Sequence, residues 1–353
     1  MRGVLAGLLI LLAAGCRRDG ASQAAIAVEK FETVTGPAGD GGFEGFTLVS
    51  AGLRGGRRIA FQPNPPSGPP MVIDSTGRAI DTLAKRGSGP GEAQWTSRVL
   101  RGTGDTVYVV DAGRVLVYSP ELKFLRSFPV EVHSAWSGVM LPSGDLALAS
   151  ATFGVPEIVS VVSPGDGAHR WGVTITPDPA SHLSEVRCVA VGPDGTLWTL
   201  RATGRLEFEH FGKDGERLGG VTATPEWYPS YDRLQTMSRT VPSSPTAAGF
   251  WVDSLGRAWV VGTTSDPKWA QATGKDQPGE GGTTYFVADH PEQVRDGVID
   301  VIDLATGRSV MSVRSDVPYG IPIEPWVIQR SRTDADGWQQ VDLYRVAEVS
   351  RTN

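Results

Sequence analysis

Residues Arg187-Cys188-Val189-Ala190-Val191-Gly192-Pro193-Asp194-Gly195-Thr196-Leu197-Trp198-Thr199-Leu200 hold two short strand-like runs around a Pro-Asp-Gly turn. Ala202-Thr203-Gly204 turns the chain again. Arg205-Leu206-Glu207-Phe208-Glu209-His210-Phe211 then alternates apolar and polar residues, as a half-buried strand does. Lys213-Asp214-Gly215 leads into a fourth run at 216–221. Four antiparallel strands in about 38 residues are the size of one β-propeller blade.

The same grammar recurs at intervals of roughly 40–60 residues. It returns upstream at 99–130 and 139–175 and downstream at 250–313, with a degraded unit at 58–83 and a partial one at 326–349. These units predict an all-β, six-bladed propeller of four-stranded antiparallel blades over residues 28–350. A ring must pair its end edges, so the run at 28–34 is expected to complete the last blade. The degraded ends leave five or seven blades open, with a pair of open β-sandwiches as the rival architecture.

Composition agrees. Of 353 residues, 44 are Gly and 25 Pro, about a fifth of the chain, without a Gly-X-Y period, so the excess reads as turns. The net charge is −6 and no basic stripe stands out, which weighs against nucleic acid as a partner.

The N-terminus carries an address. Met1-Arg2 precedes an apolar run at 4–14, too short to span a bilayer, which ends in Leu12-Ala13-Ala14-Gly15-Cys16. This resembles a bacterial lipobox, departing from it at Ala13, where Leu is commonest. The resemblance implies a signal peptide at 1–15, lipid on Cys16, a lipidated tether at 16–27 and a membrane-anchored protein in the cell envelope. Arg17-Arg18 follow the cysteine, with Asp only at 19; by analogy with enterobacterial sorting this implies the outer membrane. Cys188 is the one other cysteine, so no intrachain disulfide is expected; within its apolar run it reads as a small buried hydrophobe.

Asp111-Ala112-Gly113-Arg114-Val115-Leu116-Val117-Tyr118 looks like the second-to-third-strand hairpin of NHL-type propellers. Gly87-Ser88-Gly89-Pro90-Gly91-Glu92 is similar to a loop in bacterial six-bladed β-propeller proteins, many of them lipoproteins of uncharacterised function. The resemblance covers about 45–349. NHL repeats carry Asn-His or Asn-x-Arg where this chain has Gly113-Arg114, so NHL-specific functions, RNA binding included, are not implied.

In such blades the second-to-third-strand loops and the connectors between blades share one rim. The long segments 84–97, 176–184, 222–247 and 263–296 all fall in that class, which predicts one elaborated rim. Arg86, Glu92, Trp95, Trp227, Tyr228, Tyr231, Arg233 and Trp269 lie there as candidates for binding a protein, peptide or glycan. The same rings could instead pack on one another, and the amides of 87–92 could face an anion, although no P-loop Gly-Lys-Ser/Thr follows. The five histidines show no metal-ligand spacing, though His182 and His290 in the long loops could meet; no Gly-x-Ser-x-Gly elbow is present. Calcium lactonase propellers resemble this architecture but use Asn beside Glu and Asp, and this chain has Asn only at 64 and 353. The expectation is a monomeric, non-catalytic binding module without a cofactor. The alternative is a hydrolase or lyase with a carboxylate-bound metal such as Ca²⁺ in the central channel.

Overall fold

Arg114–Tyr118 has no polar face, and the fold shows why. Val115 and Val117 point into one hydrophobic core, Leu116 and Tyr118 into another, so a strand between two neighbouring sheets is buried on both sides. Leu146 and Leu148 divide in the same way from Ala147 and Ala149. The computed structural model describes residues 24–35, 48–62, 69–150, 156–175, 186–279, 284–334, 336 and 339–350. The signal-peptide and Cys16 readings fall outside them.

Six antiparallel sheets follow one another along the chain. Blade 1 comprises Leu48–Val49, Arg58–Phe61, Met71–Ile73 and Ala79–Thr82. Blade 2 comprises Thr96–Arg101, Val107–Asp111, Arg114–Tyr118 and Phe124–Pro129; blade 3, Ala135–Met140, Leu146–Ser150, Glu157–Val162 and His169–Thr174. Blade 4 comprises Arg187–Val191, Leu197–Arg201, Leu206–Phe211 and Arg217–Ala223; blade 5, Thr246–Val252, Arg257–Ser265, Arg295–Asp303 and Arg308–Ser315. Blade 6 departs from the four-stranded expectation. Among the described residues it has three strands, Val327–Thr333, Gln339–Ser350 and Ala24–Thr35. Ala24–Thr35 pairs along its length with the chain's last strand, Ala24 opposite Ser350. It begins at Ala24, so residues expected at the end of the tether belong to a strand.

Six cores separate the six sheets, one at each junction. Ile59 and Phe61 of blade 1 meet Leu116 and Tyr118 of blade 2. Val115 and Val117 meet Leu146 and Leu148, and Ala147 and Ala149 meet Val189 and Leu197. Leu200 and Phe208 meet Ala258 and Val260, and Trp259 and Val261 meet Ile328 and Tyr344. The sixth core joins Val341 and Leu343 of blade 6, with Val34, to Val49, Ala60 and Ile73 of blade 1. A sandwich pair would leave two of these faces bare, so the ring is decided by burial, and the count is six.

The first strand of each blade lines the axis, and first strands pack side by side at the junctions of blades 2 and 3, 3 and 4, 4 and 5, and 6 and 1. The rim at which they begin carries the blade connectors and the second-to-third loops. We call it the loop rim, and the opposite one the turn rim. The turn rim is held by tight Asp-to-Gly turns. In Asp253-Ser254-Leu255-Gly256-Arg257 the Asp253 carboxylate accepts the amides of Leu255 and Arg257 at 2.9 and 3.0 Å. Gly256 there takes φ 73°, a conformation that favours glycine.

Two leucines test the two-sided burial. Leu116 is wholly buried and Leu125, on the outermost strand of the same blade, is 58 % exposed. Leu116→Ala is expected to lower unfolding free energy by about 3 kcal/mol, and Leu125→Ala by less than about 1 kcal/mol, in urea titrations.

Candidate functional site

The axis holds a cavity of about 340 Å³ walled by residues of all six blades. Its wall takes Arg98 to Arg101, Ser137 to Met140, Val189 to Val191 and Ala248 to Val252. In every case the first two residues of the strand are left out and the last is included, so the cavity lies toward the turn rim. On the blade 6 side it is bounded by residues 321–325 of the connector between blades 5 and 6. Pro322 there lies so close to Gly249 that a Cβ at 249 would sit 2.6 Å from Pro322 Cδ.

Side chains stitch each first strand to the next. Ser97 Oγ accepts the Ala135 amide at 3.0 Å, and Ser137 Oγ accepts the Val189 amide at 3.1 Å. Cys188 Sγ donates to the Ala248 carbonyl at 3.7 Å. Gln329 accepts the Val49 amide at 2.9 Å and donates to the Ile321 carbonyl at 3.1 Å. Cys188 is 1 % exposed and burial pushes its thiol up to about 11, so it is not a nucleophile at neutral pH.

Arg98 is different. It lines the cavity and, among the described residues, no hydrogen bond or ion pair engages its guanidinium. Burial pushes its guanidinium down to about 10, and no carboxylate raises it; the charge persists at neutral pH. Glu324 is the one carboxylate among the wall residues.

No protein-family model and no curated protein sequence matches the chain. Solved structures do match. A protein of Bacteroides fragilis described as exported aligns over 91 % of this chain and 95 % of its own, with TM-score 0.53 and 12 % identity. A member of the DUF4221 family from Bacteroides vulgatus aligns over 92 % and 99 %, with TM-score 0.56 and 7 % identity. This chain shares its fold with those two bacterial proteins.

The residues singled out from sequence sit on the loop rim in three groups. Around the blade 1–2 connector, Arg86 is exposed and Glu92 and Trp95 are half-buried. Glu92 accepts the Gly89 amide at 2.8 Å, while Arg114 donates to the carbonyls of Ser88 and Glu92, both at 2.8 Å. Asp111, wholly buried, pairs with that arginine at 3.1 Å and accepts the amides of Gln94 and Trp95. The loop's carbonyls thus face a cation, which makes it a structural turn and not an anion cradle.

In the blade 4–5 connector, Trp227, Tyr228 and Tyr231 come together, with ring centroids 5.1 and 5.9 Å apart in succession. They face inward: Tyr228 is 1 % exposed and its hydroxyl donates to the Ala202 carbonyl, and Tyr231 donates to Pro245. Arg233 beside them is exposed. The third group belongs to the insertion between Ser265 and Arg295, which carries a hairpin of Gly274–Pro278 and Thr284–Ala288. Trp269 packs there against Met237, Ala272, Phe286 and Val294, joining the insertion to the blade 4–5 connector. His182 lies outside the described residues, and His290 is exposed, facing Glu292 at 3.8 Å.

Two acidic features escaped the sequence reading. Asp266, Asp296 and Asp316 gather at the foot of the insertion, their carboxylate oxygens within 4.8 Å of one another. Burial, with the Asp266 charge adding, raises Asp296, while Arg314 pairs with it and supplies a counter-charge. Asp300, wholly buried in blade 5, accepts bonds from Trp227 Nε1 at 2.9 Å and Ser309 Oγ at 2.5 Å. Burial pushes its carboxyl up to about 6.

A raised carboxyl keeps its proton in the folded chain over a window where the unfolded chain has lost it. Asp300 therefore favours folding fully below pH about 4, and that contribution is lost as pH rises toward 6, by about 3 kcal/mol. Asp300→Asn is expected to remove this term: stability of the native chain, measured by chemical denaturation at pH 4 to 7, should fall relative to the variant across the window. Parallel profiles would show Asp300 ionised in the fold at pH 4.

Proposed function

We propose that this chain is an exported, lipid-tethered binding module whose ligand enters the axial cavity. The cavity itself carries the reading: about 340 Å³ of mostly apolar space, reached by all six blades, is the scale of a small-molecule pocket. The lipobox-like Leu12-Ala13-Ala14-Gly15-Cys16 and the fold shared with a protein described as exported support the extracytoplasmic address. A tether on Cys16, the outer membrane as its site, and Ala24–Thr35 as the clasp that fastens the ring belong to the same proposal.

The register of that strand sets an orientation. The first strand of blade 6 begins at the loop rim with Val327, which pairs with Arg345, and the last strand runs on past it to Ser350. Ala24, opposite Ser350, therefore also lies on the loop rim. Eight residues from Cys16 reach at most about 28 Å. The loop rim is then held near the bilayer, and the cavity lies toward the rim that faces away. This moves the proposed contact surface from the long loops, whose aromatics point inward, to the axis.

Two variants test the parts separately. Cys16→Ala should move the chain from the membrane pellet to the soluble fraction without changing its melting temperature. Val139→Trp, which fills the cavity, should abolish the thermal shifts that a panel of small metabolites gives the native chain. Shifts preserved in Val139→Trp would place binding elsewhere, and a panel without effect on the native chain would sink the cavity reading.

A further inference from the structure

We propose that the axial cavity takes a small apolar molecule bearing one carboxylate, and that Arg98 grips that carboxylate. The inference deepens the cavity reading and rests on it. Arg98 opens the lining run of its strand, level with Ser137 of the next blade, at the end of the cavity farther from the turn rim. Four of the other polar side chains around it are engaged, while Trp251 Nε1, also on the wall, is a buried donor without a partner among the described residues. Ser50 Oγ accepts the Ile59 amide and donates to the Ala51 carbonyl, and Ser137 and Gln329 hold neighbouring strands. Arg101 pairs with Asp105 at 2.6 Å. Of the two wall cations, Arg98 alone keeps its donors unspent; it is half-buried, with its guanidinium left to the cavity.

A guanidinium offers parallel N–H donors that match the two oxygens of a carboxylate, and a low-dielectric wall strengthens the pair. Around it stand Val99, Leu100, Val139, Val189, Phe250 and Ile321, which suit a compact apolar body. The ligand would enter acid first from the turn rim, leaving its apolar part against these side chains. A structural role for Arg98 would show a partner carboxylate or carbonyl; among the described residues there is none.

The test uses the full chain, 3-phenylpropionate, its neutral amide and its amine counterpart 3-phenylpropylamine, read by titration calorimetry. The acid should bind at least about tenfold more tightly than the amide, as a charge-assisted pair requires, and the amine should not bind. Arg98→Met should reduce the acid to the affinity of the amide and raise the melting temperature, because it removes an uncompensated charge; Arg98→Lys should keep a weakened preference for the acid. Inorganic phosphate as a competitor separates a general oxyanion site, which it would displace, from one shaped for the apolar acid. Equal binding of acid and amide by the native chain would overturn the role of Arg98 while leaving the cavity a binding site. No binding by any of the three would overturn both, and a lower melting temperature in Arg98→Met with acid preference intact would show the arginine to be structural.

Discussion

Everything in this fold depends on strands that are apolar on both faces. A strand such as Arg114–Tyr118 gains burial from two neighbours at once, at roughly 25 cal/mol for each Å² of apolar surface withdrawn from water. No open row of sheets can satisfy that requirement at its ends. The sixth core, where Val341 and Leu343 meet Val49, Ala60 and Ile73, removes the ends by joining blade 6 to blade 1. Among the described residues, blade 1, with a first strand of two residues, and blade 6, with three strands, are the least regular sheets, and they are the two that meet there.

Packing alone does not fix the axis, where six first strands converge and the space between them must be either filled or left. Ser97, Ser137, Cys188 and Gln329 answer the problem of backbone amides and carbonyls that point across from one sheet to the next. Cys188 makes the same kind of blade-to-blade contact as Ser97 and Ser137, with a weaker donor. Buried polar groups in a settled core are nearly always paired. Against that background a cavity wall with one unpaired guanidinium reads as a place kept for something else.

Much of the fold was legible because the turns are chemically explicit. Pro193-Asp194-Gly195 and Asp253-Ser254-Leu255-Gly256 announce themselves, and the runs between them have strand lengths. Leu48–Val49 was not legible: two residues give no period, and the strand exists because Gln329 and the blade 6 core hold it. The candidates of the long segments lie on one rim, but aromatic composition does not say that Tyr228 turns inward, since the same ring serves a core or a contact surface. Nothing in Thr96-Ser97-Arg98-Val99-Leu100 marks Arg98 as more than one polar residue of a strand. The available signal was a charge inside an innermost strand, which becomes informative only when the ring shows that no partner faces it.

On the proposed anchoring, the two rims divide the work by distance from the bilayer. The long connectors would lie between the disc and the membrane, where an inward-facing cluster of Trp227, Tyr228 and Tyr231 closes the blade 4–5 junction and presents little apolar surface to lipid. The tight turns would face outward and leave the cavity unobstructed, since turns of three or four residues cannot fold back over the axis. Elaboration of a rim is then no guide to where a ligand enters. In a ring whose centre is reached from every blade, the shorter rim would be the open one on this proposal, and Arg98 would mark the proposed site.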